Sequence, residues 1–477
     1  MHSAIGRTLA VAALALAGCS FIPTYHRPEA PVAATYPPET APDSVTSGTP
    51  ASDLDWQRFF ADPRLKRLIE LALVNNRDLR AAVLNIEQTR ALYGVRRADE
   101  LPTVGVGASA TRTPVGNSVA NVYAVGAQVA SYEIDLFGRV RSLSQAALAQ
   151  YFATAEARKA VQISIVSSVA GAYLNVLADE ELLRVTQETL KTREESLRLT
   201  KLRFDNGVSS ELDFRQAESL LEGARATLAQ SQRQRTLDQN ALVLLVGQPL
   251  PGDLPPPLPL DNQQIAVEVP AGLPSDLLVR RPDIRASEQQ LAATNANIGA
   301  ARAAFFPRIS LTASFGTAST ELSGLFKGGS WAWTGTGQLL QPIFDAGRNQ
   351  ANLDVARANF DIAVAQYEHS IQTAFREVSD GLAGRATFGE QLRAQAAQTN
   401  ALAIAYRLAD LRYRSGAASF LDTLDAARTL FAAQILLVQA QTQQLQNQVA
   451  LYRALGGGWN EAAELAAGTT PAIPAPQ

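Results

Sequence analysis

The chain has 477 residues and an almost balanced charge, 42 lysines and arginines against 45 acids for a net of −3. No basic block stands out, which argues against a nucleic-acid partner. One cysteine and three histidines allow no intrachain disulfide and supply no cysteine–histidine cluster for metal or nucleophilic chemistry.

The N-terminus reads as an export signal over residues 1–18: Arg7, then Thr8 to Gly18 with almost nothing but apolar and small side chains. The run is too short to span a membrane. It closes on Leu16-Ala17-Gly18-Cys19, which resembles the bacterial lipobox, cleaved before a cysteine that is then acylated. An ordinary signal with a chance cysteine is the alternative, but Cys19 is the only cysteine in the chain. Residues 19–61 are expected to be the lipid anchor and an extended strap, because the stretch to 52 is rich in proline, alanine, serine and threonine without periodicity. His2 leaves with the signal, His26 lies in the strap and His369 in a predicted helix.

Residues 62–247 form a first unit. Asp62 caps and Pro63 opens an amphipathic helix carrying Leu65, Leu68, Ile69 and Ala72. Asn75 to Leu79 breaks it, and a second helix runs to about Glu100. The period then switches to two: Val104, Val106, Ala108 and Ala110 face one way, Gly105, Gly107 and Ser109 the other. A turn-rich piece, Pro114 to Asn121, separates this strand from its return, giving a hairpin over about 103–136. Glu133 and Asp135, at its end, read as meeting interfacial water. From 139 to 246 the pattern predicts a long helix pair. Val169, Val176, Leu183, Leu190, Leu197 and Phe204 recur every seven residues, a coiled-coil seam. Asn206-Gly207 turns the chain, Ser209 or Ser210 caps the return helix, and Phe214, Leu221, Leu228 and Leu242 form its seam, interrupted by Arg235. About 65 outgoing residues at 1.5 Å each make a rod of roughly 100 Å.

Residues 248–274 carry a proline run that excludes helix and central strand, and read as an equatorial belt. Residues 275–458 then repeat the first unit, with a hairpin over about 308–345 and a helix pair over 348–455; residues 459–477 are expected to be a flexible tail. Gly207 and Gly416 stand 209 residues apart (416 − 207), as do Gly138 and Gly347, and Gly247 and Gly456. Upstream, Asp78 and Asp283 are 205 apart (283 − 78). Constant offsets at turn residues define an internal duplication.

Each chain thus offers four strands of bilayer-crossing length, with Trp331 and Trp333 where an interfacial aromatic girdle lies. No stretch after the signal reads as a spanning helix. Open strand edges cannot be satisfied in lipid, so a membrane role requires a shared barrel. Two copies give eight strands with a filled interior, and three give twelve, which leave a hole. Soluble hairpins capping a helical bundle are the alternative.

Several motifs, in order and in register with the duplication, then resemble the TolC-like outer-membrane efflux factors, in the OprM/NodT lipoprotein branch. They are Pro23 to Pro28, Trp56 to Pro63, Asp135-Leu-Phe-Gly138-Arg139, Arg280-Arg281-Pro282-Asp283-Ile284-Arg285, Phe305-Phe306-Pro307, Gln341 to Asp345, Phe375 to Asp380 and Leu455 to Trp459. The resemblance implies a mainly α fold with a small β part: a trimeric α-barrel of long coiled-coil helices under a shared 12-stranded transmembrane β-barrel. It implies a non-enzymatic exit channel in the outer membrane, with Ser20 after the lipid cysteine consistent with that address. The homotrimer would join a periplasmic adaptor and an inner-membrane transporter of the resistance–nodulation–division type, with no cofactor beyond the covalent lipid on Cys19. A type I protein-secretion outlet on the same fold, or a non-conducting coiled-coil scaffold, are the competing readings; the exported compound is not legible.

By the same resemblance Leu421 and Asp425 form the periplasmic constriction, with Arg428 nearby. Their spacings of four and three put all three on one helix face, where a solvated Asp–Arg pair is the plainer reading. Asp425 has no acidic counterpart in the first repeat, since Gln216 stands there. Phe204, Gly207, Val208 and Leu212, with Tyr413, Gly416, Ala417 and Leu421, mark the two reversals and by resemblance meet the adaptor; turn chemistry alone also accounts for the glycines.

Overall fold

The computed structural model describes residues 20–37, 51–263, 265 and 274–459. Cys19, the signal and the tail beyond Trp459 lie outside them, as does part of the proline-rich belt. The elements in chain order are α1 (Trp56–Phe59), α2 (Pro63–Asn75), α3 (Arg77–Ala98), β1 (Val104–Val115), β2 (Ser118–Ile134), α4 (Arg139–Asp205) and α5 (Glu211–Val246). They continue as α6 (Pro274–Arg280), α7 (Pro282–Ala303), β3 (Arg308–Ser319), β4 (Trp331–Leu340), α8 (Arg348–Arg414) and α9 (Phe420–Ala454). The two longest helices, α4 and α8, have 67 residues each and are therefore about 100 Å long. Six glycines with left-handed backbone mark the duplication: Gly138 and Gly347, Gly207 and Gly416, Gly247 and Gly456.

Contacts divide the chain into two units. The first comprises Met1–Ala30, Val83–Ala157 and Asp283–Ser370. Its centre is one antiparallel sheet in the order β1-β2-β3-β4, so the two hairpins join edge to edge through β2 and β3. Gly126 faces Gly316 at that seam. The hairpin is tighter than the sequence suggested. Strand pairing runs to Val115↔Ser118, and Gly116 and Asn117 alone make the turn, with Gly116 at a φ of 63°. The four strands have 12, 17, 12 and 10 residues rather than about ten each; a bulge between Val129 and Tyr132 bends the longest. Glu133 also departs from expectation. It is held by both nitrogens of the Arg139 fork, at 2.8 and 2.7 Å, and by Arg308 at 3.1 Å, instead of facing water. Asp135 and Asp345 accept backbone N–H bonds from Arg141 and Asn349 at the starts of α4 and α8. The first described part of the strap is seated in this unit: Arg27 grips Glu288 of α7 through two bonds, Pro23 O accepts from Asn295, and Phe21 stacks on Phe306.

The second unit comprises Pro31–Ala82, Arg158–Pro282 and Ile371–Gln477. Asp62 does more than cap α2. Its Oδ1 accepts from the backbone of Arg64 and Leu65, while Oδ2 accepts from Tyr173 Oη at 2.7 Å, Gln263 Nε2 at 2.8 Å and the Leu258 N–H. A fully buried carboxylate with this many donors ties α2, α4 and the proline-rich belt together. Tyr452, at the end of the α9 seam, stacks on Phe59 with centroids 3.8 Å apart and donates to Leu54 O. Two of the motif stretches explain each other here: Arg281 donates to Glu377 and to Ala454 O. One expectation fails. Helix α4 contains an 18-residue window apolar enough to cross a membrane, with a mean hydropathy of 1.5. Of that window 44% is buried, and Ile163, Val166, Val169, Ala170, Leu174 and Leu177 of α4 pack inside the protein.

Candidate functional site

The two reversals lie in the second unit and share one construction. At the end of α4, Gly207 N–H donates to Phe204 O and Val208 N–H to Arg203 O; at the end of α8, Gly416 N–H donates to Tyr413 O and Ala417 N–H to Arg412 O. This is the Schellman pattern, which closes the last helical carbonyls and needs a left-handed residue, supplied by glycine at φ 72° and 77°. Ser210 then caps α5 in a box with Asp213, each bonding the other's backbone N–H.

Aromatic packing stiffens both turns. Phe204 stacks on Phe214 across the first, and Tyr413 packs against Phe420 across the second, with centroids 5.7 and 5.3 Å apart. Phe420 and Leu424 of α9 bury themselves with Ala217 of α5, and Leu197, Leu220 and Tyr413 close around them. That core fixes the rotation of α9. The face carrying Leu421, Asp425 and Arg428 is left outside, Leu421 being 57% exposed. Asp425 and Arg428 on that face are both exposed. Gln216 is half-buried. Val208 and Leu212 are exposed at the first reversal.

Two features went unread in the sequence. Arg203, from the first reversal, lies over the Tyr413 ring of the second at 4.7 Å and couples the two tips. Farther up α4 stands a column of buried polar side chains at seven-residue spacing: Asp179, Thr186, Arg193 and Thr200, at 6, 1, 8 and 1% exposure. The seven-residue recurrence is legible in the sequence, whereas the burial of these polar side chains is not. The threonines satisfy themselves on the carbonyls of Leu182 and Ser196. Asp179 and Arg193 do not, and each keeps a buried polar atom without a hydrogen-bond partner. Arg235, the break in the α5 seam, reaches Glu180 at 2.9 Å. Among the described residues no group of three His, Cys, Asp or Glu side chains is placed to hold a metal ion.

The family described as outer membrane efflux protein matches residues 68–248 and 273–457. The two stretches begin 205 residues apart (273 − 68) and end 209 apart (457 − 248), the offsets of the turn residues. The chain is 50% identical over 463 residues to the probable efflux pump outer membrane protein TtgC of Pseudomonas putida, covering 95% of this chain and 96% of that one. It is 45% identical to outer membrane protein OprJ of Pseudomonas aeruginosa, covering 97% and 98%. The solved open state of the Neisseria gonorrhoeae MtrE outer membrane channel is 44% identical, with a TM-score of 0.84 over 93% of this chain and 99% of that one. The chain belongs to the outer membrane efflux protein family. It is an outer-membrane efflux channel protein of the TolC-like kind, a family of conduits rather than of enzymes.

Proposed function

We propose that three copies of this chain form one passive conduit, carrying small molecules from a periplasmic adaptor and an inner-membrane transporter of the resistance–nodulation–division type to the outside. The observation that carries the reading is the four-stranded sheet. Its outer strands β1 and β4 each bond a single neighbour, and Val106, Phe315, Trp331 and Trp333 are exposed on it. Strand edges of this kind are untenable in lipid unless paired. Four strands are too few to close, eight close on a filled interior, and twelve leave a passage.

Under this reading residues 62–247 and 275–458 are the two repeats of the conduit wall, 19–61 the anchor and strap, and 248–274 the belt. Leu421 and Asp425 narrow the periplasmic end as rings of three leucines and three carboxylates, with Arg428 beside them. Phe204, Gly207, Val208, Leu212, Tyr413, Gly416 and Ala417 meet the adaptor, and the exposure of Val208 and Leu212 supports an apolar contact there. A lipid on Cys19 holds the strap to the membrane. The mass of the full-length protein purified in detergent, by multi-angle light scattering corrected for bound detergent, tests the assembly. Three chains are expected. A monodisperse monomer would overturn the shared barrel.

A further inference from the structure

Beside the tip core, α4, α5, α8 and α9 of the second unit leave a cavity of about 180 Å³, walled by Val185, Leu220, Leu424, Leu430 and Phe431 among others. Arg193 lines it and is 8% exposed. One of its terminal nitrogens donates to Leu220 O at 2.9 Å, and its Cζ lies 4.9 Å from the centre of the Phe431 ring. Its Nε is buried without a partner. Among the described residues no carboxylate answers its charge. Glu188, also on the lining, is engaged by Arg184, and the charged group that acts on Arg193 is another cation, Arg428.

An arginine cannot shed its proton to escape burial. A buried cation without a counter-ion is costly, and a second guanidinium nearby adds to that cost. We propose that this cavity is a binding site for a single-ring aromatic carboxylate of the benzoate or salicylate class. The carboxylate would accept from the free Nε edge of the Arg193 fork, the edge suited to two parallel bonds. The ring would sit among Leu424, Leu430 and Phe431, with Thr423, Tyr406 and Gln434 as polar neighbours. The volume decides the size class. Drug-sized ligands occupy about 300–1,000 Å³, so this site admits one ring and its acid group. Such a ligand bridges α4 to α9 and favours the packing of α9 described above.

Titration calorimetry and saturation-transfer NMR on the detergent-purified full-length protein test the site, with sodium benzoate and its neutral isostere benzamide as probes. Saturable benzoate binding is expected, at least tenfold tighter than benzamide. Arg193→Met should weaken benzoate at least tenfold and leave benzamide unchanged, while Arg193→Lys, which keeps charge but loses the fork, should fall between. Ala427→Leu, which fills the cavity and leaves the arginine, should abolish both. Equal affinity for the two probes, saturable binding that survives both Arg193→Met and Ala427→Leu, or no saturable binding at millimolar benzoate would each overturn the proposal.

Discussion

Asp179 shows how one buried side chain leaves a pH signature. Burial first, then its hydrogen bond with and repulsion from Asp238, push its carboxyl from an ordinary 3.8 up to about 7, against the opposing pull of Arg235. Glu180 adds a little in the same direction. The folded chain therefore keeps a proton that the unfolded chain has released, over the interval from about pH 4 to about pH 7. The stabilisation is complete below the unfolded value and is lost as pH rises through the folded one. Asp179→Asn should flatten that component: between pH 4 and pH 8 the wild-type melting temperature should drop relative to the variant, which equals or exceeds it at pH 8. Parallel curves would show that Asp179 does not titrate there. Cys19 is the other residue with a single decisive assay. Cys19→Ala should abolish radioactive palmitate incorporation and lipoprotein-type signal cleavage, and unchanged labelling would refute the lipid.

Among the elements, the sheet seam is the most exacting. A Cβ on Gly316 would stand 2.1 Å from Val125 O, and one on Gly126 would stand 2.4 Å from Phe315 O. The two strands meet there closer than any side chain allows. Gly316→Val should split β2 from β3 and suppress the proposed trimer in detergent, whereas Gly105→Val, with open space around it, should not. A normal oligomer from Gly316→Val would mean the seam can spread. The long helices were the most legible elements: seven-residue seams, the Schellman glycines and the Asp62 cap follow from local chemistry that the sequence states outright. The strand lengths were less so. Pro114 to Asn121 looks like a turn by composition, yet cross-strand pairing carries the ladder to Val115 and Ser118. The apolar window in α4 was missed because alanines and serines dilute it. Glu133, Arg193 and the Arg203–Tyr413 contact were out of reach for a different reason: their partners are set by tertiary placement, which no local pattern encodes.

At the scale of the whole molecule, the constriction proposed for the trimeric conduit lies where its second repeat reverses. The packing of Phe420 and Leu424 against Ala217 leaves Leu421 and Asp425 outside the protomer's core. Both can therefore be removed without touching the Leu424, Phe431, Val438, Leu445 and Tyr452 seam. In a trimer they would make an apolar ring and an acidic ring on one axis, the second attracting cations and coupling its own titrations. The most direct test is the single-channel conductance of the Leu421→Ala, Asp425→Ala double variant in planar bilayers, with Gln216→Ala in the first repeat as control. The double variant should conduct several-fold more than wild type and the control the same as wild type. If the double variant inserts as a trimer and conducts like wild type, the constriction is not at this reversal.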